Sequence, residues 1–537
     1  MHKSRLSRRK FLTGTAAFAG AGLAAACGGG EKTGDKTPAA TPATSGGQPK
    51  RGGIIRMAST AAALSLDPMT DTTLMGAAAA PYMYSHTVMC TDWGDLLYPD
   101  LAEKWEVVDD INWTFHIRQG ARFHNVPPVN GREVVAGDVA YSYKLKETLP
   151  GGALTGWNEW IDRYEAPEDR ILSIHTKKPY SYIFMSLGSP SLAVVPREAV
   201  EQFGDLNSHV IGTGPFVLKN WGQNEGIEIA RNPEYYNPQL PYLDGMKWSV
   251  MSDDSSIQAA FRAGAVDVYE APDKLRAENL SSVKGVSARR FLNRLYAVVA
   301  MNASRFPAFA DARVREAVDI SLDRQAMIDK LHLGDGELAG PVGPSWITAL
   351  PPEEIRQAYK RDVTKAKQLL AAAGQENLRF SLACSNYQDN ADRAAIIQRN
   401  LAEAGITADI DVRDLGTWLN DLFEVNFEAT TFAHLPYLSD DIQLQSHYST
   451  GFTRDMFLGI TDPEVDALLL QVQSTIDEKA RIQVALDAQR KILERHGPTL
   501  VLYEPYGYLV AYDYIKGYEP SPWVFGLYRF DMWLDNG

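Results

Sequence analysis

Hydrophobic and polar positions divide the chain into short strands early on and longer helices later. Trp113-Thr-Phe-His-Ile-Arg118 alternates apolar and polar residues and stops at Gln119-Gly120, which predicts a strand and then a turn. Gly53 to Ala58 and Ile171 to Thr176 read as further strands, and another begins at Phe216 after the tight loop Ile211-Gly-Thr-Gly-Pro. Ser65-Leu66-Asp67-Pro68 is a turn signal. Asp253 to Ala263 predicts a helix capped by Asp253 or Asp254 and ended by Gly264. In the second half, Asp311 to Leu331 reads as one long helix with Val314, Ala317, Val318 and Ser321 on a common face. A helix over Val363 to Ala373 closes on Gly374, and one over Ala391 to Ala404 closes on Gly405. The second lies between strands Arg379 to Cys384 and Ile406 to Val412. A helix between two strands with short loops implies a parallel pair with a right-handed crossover. Ile476 to Glu494 places Ile482, Ala485, Leu486 and Leu493 along one helical face, interrupted by Gln489, and stops at Gly497-Pro498. Two strands follow, Leu500 to Tyr503 and Tyr508 to Val510. The pattern predicts two α/β lobes, with the chain crossing near 290–297 and returning near 503–510. There is no internal repeat.

The first residues have a different character. Residues 1–26 carry five positive charges and no negative one, and the weakly apolar run Phe11 to Ala26 is too short and too rich in Ala and Gly to span a membrane. It reads as an export leader, and Ser7-Arg-Arg-Lys-Phe-Leu12 resembles a twin-arginine motif carried by Arg8 and Arg9. Leu23-Ala-Ala-Ala-Cys27 resembles a lipoprotein signal, with Ala24 in place of the usual Leu, so Cys27 is the expected lipidation site. The alternative is an Ala-rich site cut by an ordinary signal peptidase. Residues 27–50 form a tether without a large apolar side chain, spanning roughly 25 Å as a random coil.

Composition narrows the function classes. The 537 residues are 45% hydrophobic and 22% charged, enough for more than one core. The net charge of −14 falls to −19 once the five leader cations are removed, which disfavours a nucleic-acid partner. Cys90 and Cys384, the only cysteines besides Cys27, read as buried small hydrophobes and not as a bridge. No Cys-x-x-Cys or His-x-x-x-His pair exists, and His434 and His447 are 13 apart, so no metal or other cofactor is expected. Gly212 and Gly214 lack the Lys-Ser/Thr of a phosphate loop and read as a tight turn. No Gly-x-Ser-x-Gly elbow or His-Glu-x-x-His helix appears, so the chain does not read as an enzyme.

An ordered set of segments resembles one family over nearly all the mature chain. It runs Leu101-Ala-Glu-Lys-Trp105, Trp113 to Gly120, Phe123-His124 and Ala136-Gly-Asp-Val139, then Gly212 to Phe216 with Arg231-Asn-Pro233. Tyr242-Leu-Asp244, Ala263-Gly264, Asp267-Val268 and Asp311 to Ala317 with Asp323-Arg324 complete it. These resemble the extracellular solute-binding proteins of family 5, the peptide- and nickel-type receptors of ABC importers. The resemblance implies a two-lobed clam-shell, periplasmic-binding-protein-like and of type II, with an extra subdomain in its first lobe. The first lobe is then 51–80, 205–295 and 505–537, the subdomain 81–204, and the second lobe 296–504. The implied partners are a small solute, either a peptide or an oligosaccharide, and a membrane permease driven by a separate ATPase. The receptor itself is expected to be a monomer, exported and held at the membrane by lipid. A sensory lipoprotein or, at the far end, an exported hydrolase are the rival readings.

In peptide-binding members a Trp-x-x-Asp segment pairs its carboxylate with the peptide amino terminus. The matching stretch here is Phe432 to Asp441, with Pro436 standing where that Asp would be and Phe432 or Ala433 replacing the Trp. Asp440 or Asp441 either substitutes or caps a helix. The candidate ligand-binding residues are Trp418, His434, Tyr437, Trp346, Asn302 and Tyr84, each set against a role in the core or, for Asn302, in a turn or cap.

Overall fold

The computed structural model describes residues 48–535 apart from 71–73, 92–95, 150–159, 223, 293, 388, 435–438, 451–457 and 520–529. The leader, Cys27, most of the tether, Pro436 and Tyr437 lie outside the described residues.

The chain opens with strand Ile54–Ser59, whose Ile55 and Met57 point inward. It pairs parallel with Gly245–Val250, which continues antiparallel into Gly226–Arg231 and Phe216–Gly222. Helix Asp254–Arg262 starts where the Asp253 carboxylate accepts the Ser256 amide and buries Ile257 and Phe261, one turn apart. The tight loop before Phe216 packs backbone on backbone. A Cβ on Gly212 would sit 2.0 Å from the Met83 carbonyl oxygen, so only glycine fits at the end of helix Leu74–Met83.

Between these strands sits an antiparallel sheet ordered Ala102–Asp109, Asn112–Ile117, Ile171–Thr176, Ile161–Glu168. The alternation that predicts the strand at Trp113 is real: Trp113, Phe115 and Ile117 face the core together with Leu172 and Ile174 of the neighbouring strand. Helix Ala136–Thr148 covers that face.

The second lobe is built on a larger sheet. Arg379–Ser385 and Thr407–Arg413 are parallel and joined by helix Asn390–Glu403, as their spacing predicts. Ala429–His434 lies beside the first of them, Tyr296–Met301 comes next, and Thr499–Tyr512 follows. Two predicted elements differ. Asp311 to Leu331 is two helices, Ala312–Ser321 and Arg324–His332, because Asp323 turns its carboxylate to cap the second by accepting the Ala326 amide. The break aims Arg324 inward onto Asp319 and the Val501 carbonyl. The strands at 500–503 and 508–510 are one strand of 14 residues, Thr499–Tyr512. Pro505, which reads as an interruption, sits where the strand changes partners, a place that tolerates a missing N–H donor.

That long strand joins the lobes. Its first part pairs with Tyr296–Met301, its second with Val286–Leu292 and Val268–Ala271. Leu292 and Ala297, on either side of the outgoing crossing, therefore lie against Tyr506 and Tyr503 of the returning strand. At the outgoing crossing Arg294 adopts a left-handed backbone, with φ 55°.

Candidate ligand cleft between the lobes

The crossing strands form the junction between the lobes. Glu504 interrupts the apolar run Thr499 to Tyr503 and is fully buried. One carboxylate oxygen accepts the Arg294 backbone N–H at 3.0 Å and the other accepts the Ser345 hydroxyl at 3.3 Å. Burial pushes Glu504 up to about 7 against the pull of these donors and of the Arg294 charge. The Arg294 guanidinium carbon lies 3.4 Å from the centre of the Trp346 ring. Arg290 and Asp335 form an ion pair of 2.7 Å beside the same crossing.

Two residues after Arg294, Tyr296 starts the second-lobe strand. Its ring stacks on His434 at 5.5 Å, 7° from parallel, and its hydroxyl lies 3.3 Å from His447 Nε2. The rings of His434 and His447 meet edge-on at 5.0 Å. Burial, reinforced by His434, holds His447 well below the usual imidazole range, so His447 is neutral near pH 7.

The far side of the cleft is a seam between the lobes. Ser181, in the loop after strand Ile171–Thr176, donates its backbone N–H to the Gln473 carbonyl at 2.8 Å and its hydroxyl to the carbonyls of Gln473 and Val472. On either side of it Tyr180 and Tyr182 are buried, and the Arg481 guanidinium lies 5.1 Å from the centre of the Tyr182 ring. The apolar cluster of the first lobe continues through this seam into helices Asp440–Tyr448, Pro463–Ser474 and Glu478–Arg495. The lobes thus touch both at the crossing strands and at the seam.

Against this geometry the six expected site residues separate. Trp346 lies under Arg294 and His434 stacks on Tyr296, each beside the outgoing crossing. Trp418 is buried, gives its indole N–H to Thr430 Oγ1 at 3.1 Å and packs on Phe432 within the second lobe. Asn302 donates to the carbonyls of Val425 and Phe427 and accepts the Ser304 amide, a turn that uses its whole amide. Tyr84 is 1% exposed, inside the first lobe, with its hydroxyl 3.5 Å from the Leu66 carbonyl. Tyr437 lies outside the described residues. Asp440 and Asp441 occupy the first turn of their helix, while Ser439 holds the N-cap position. Arg294, Tyr296, Glu504 and the Tyr180-Ser-Tyr182 triplet were not singled out from sequence. Only Glu504 carried a signal, as a lone charge inside an apolar strand.

Cys90 and Cys384 are both unpaired. Among the described residues no three His, Cys, Asp or Glu are grouped to hold a metal ion, and no helix is long and apolar enough to cross a membrane.

Residues 97–454 match the family described as bacterial extracellular solute-binding proteins, family 5 Middle, which is more than half of the chain. The chain belongs to family 5. Heme-binding protein A of Haemophilus influenzae is 25% identical to it over 475 residues, 83% of this chain and 86% of that protein. The periplasmic oligopeptide-binding protein OppA of Salmonella typhimurium is 24% identical over 481 residues, 82% of this chain and 83% of that one. In fold it is similar to the periplasmic binding protein DppA of Helicobacter pylori in complex with the peptide STSA. That comparison gives a TM-score of 0.76 at 24% identity and covers 91% of this chain and 99% of the other. The two-lobed architecture is therefore that of the family 5 binding proteins.

Proposed function

We propose that this family 5 protein captures a peptide or peptide-like solute between its lobes and presents it, unchanged, to a membrane permease powered by a separate ATPase. The observation that carries the proposal is the pair of crossing strands beneath an Arg294–Glu504–Trp346 floor, with the lobes meeting at the opposite seam. Such a geometry lets a solute touch both lobes only when they are together, so binding shifts the balance toward closure by its differential affinity. Relatives named for oligopeptide and heme binding support the class and leave room for a solute other than a free peptide. A proline at 436 holds no cation by charge, which favours a peptide bound by its backbone or with a blocked amino terminus. We place the protein outside the cell membrane, exported by the leader over residues 1–26 and held by lipid on Cys27, as a monomer.

The test is a thermal-shift screen of blocked and free peptides, oligosaccharides, heme and metal ions. A true solute raises stability by roughly 2.7 kcal/mol at a hundredfold excess over its dissociation constant. A flat response to every peptide with a clear response to an oligosaccharide replaces the peptide by a sugar. Turnover of any of them overturns the receptor reading.

A further inference from the structure

We propose that closing the seam takes up one proton at the Asp440–Asp441 pair, so that the closed, solute-holding form is favoured by acid. The proposal rests on the two-lobed fold and not on the identity of the solute.

Both carboxylates lie under the seam, Asp440 4% and Asp441 0% exposed. Asp441 accepts the Ser439 hydroxyl and, at 2.9 Å, the Gln473 side-chain amide, and Asp440 accepts the Thr348 hydroxyl. Gln473 is thus shared. Its amide holds Asp441 while its backbone carbonyl receives Ser181 from the other lobe. The groups that face the pair are Thr348 from the loop before helix Pro352–Ala358, Gln473 from helix Pro463–Ser474, Arg481 from helix Glu478–Arg495, and Tyr180 and Tyr182 from the first lobe. On the pair's own helix the nearest titrating group is His447, held neutral by burial. Arg481 is the one cation among them, and its guanidinium lies over the Tyr182 ring. Among the described residues no cation makes an ion pair with either carboxylate.

Two adjacent carboxylates in a dry seam without a paired cation ionise together only against burial and mutual repulsion. Burial first, with Asp440 adding to it, pushes Asp441 up to about 7. When the lobes part, Tyr180 and Tyr182 leave with the first lobe, water reaches the pair, and Asp441 returns toward the ordinary carboxylate range. The closed form then binds one more proton than the open form. Above about 7 both forms are ionised and pH has no effect. Below it, closure gains up to tenfold per pH unit until the open-form pKa is reached.

Small-angle scattering of the solute-free protein at pH 8 and pH 6 tests this directly. The radius of gyration is expected to fall at pH 6, and Asp441→Asn, which is neutral at every pH, is expected to be compact at both. The native protein supplies a second readout by hydrogen exchange. The Ser181 amide is protected only while the seam is shut, so its protection factor, corrected for intrinsic exchange, is expected to drop about tenfold from pH 6 to pH 8. A Ser181 protection factor constant across this range overturns the proposal, as does a pH response in Asp441→Asn equal to that of the native protein. Because no solute is added, these outcomes are independent of the solute screen.

Discussion

Gly343→Ala is a sharp probe of the cleft floor. A Cβ at this position would lie 2.4 Å from Glu504 Oε2, too close to be tolerated without movement, and in ordinary contact with its Cδ at 3.5 Å. The carboxylate is fully buried and held by the Arg294 amide and the Ser345 hydroxyl, so it cannot swing aside without giving up a hydrogen bond. Overpacking costs about 1–3 kcal/mol, and a lost hydrogen bond to a charged group about 1.5–3 kcal/mol. The two terms together are expected to destabilise by about 2.5–6 kcal/mol and to weaken solute capture, since Trp346 and Arg294 lie beside Glu504. Gly340→Ala is the matched control. Its Cβ meets Ile355 Cδ1 at 2.5 Å, nearly the same overlap, but that methyl ends a side chain with no polar partner to lose. Overpacking of that kind is expected to cost about 1 kcal/mol. Urea unfolding of both variants, followed by tryptophan fluorescence, reads the difference. Equal losses in the two variants, or a loss under about 0.5 kcal/mol for Gly343→Ala, would refute the claim that Glu504 is clamped.

Trp346→Ala removes the ring under a buried guanidinium and is expected to cost about 3–5 kcal/mol with loss of binding. Trp418→Phe is expected to lose only the bond to Thr430, about 1 kcal/mol, and to leave binding intact; thermal unfolding and solute titration separate the two. Glu504→Gln is expected to flatten part of the pH dependence of stability. With its folded pKa near 7 against an ordinary 4.5, the carboxyl contributes stability that is complete below about 4.5 and gone above about 7. Relative to the variant, the native protein should lose up to about 1.4 kcal/mol per pH unit across that window, measured by denaturant titration at several pH values.

Elements with a strong local signature were legible from sequence. Val363–Ala373 ends on Gly374 with φ 65°, and Asp253 caps its helix as its spacing predicts. The parallel pair around helix Asn390–Glu403 followed from chain order alone. The split at Leu322-Asp323 was hidden because Ala317 to Leu331 keeps a helical rhythm, which masks the Asp323 cap that restarts the helix. The unbroken strand through Pro505 was hidden for a similar reason, since its two halves answer to partners more than 200 residues away in sequence for the second half. The cleft was least legible. The cluster of Arg294, Tyr296, Trp346, His434 and Glu504 at the crossing has no spacing in sequence, and aromatic residues such as Trp418 and Tyr84 look alike whether they line a pocket or fill a core.

The central claim is that the lobes close on a solute about the crossing strands. Spin labels on Lys177→Cys and Leu470→Cys, exposed positions flanking the Ser181–Gln473 contact, measure the distance across the seam. Adding a peptide that raises the melting temperature is expected to collapse a broad distance distribution onto its shortest component. An identical distribution with and without that peptide would contradict closure as the means of capture.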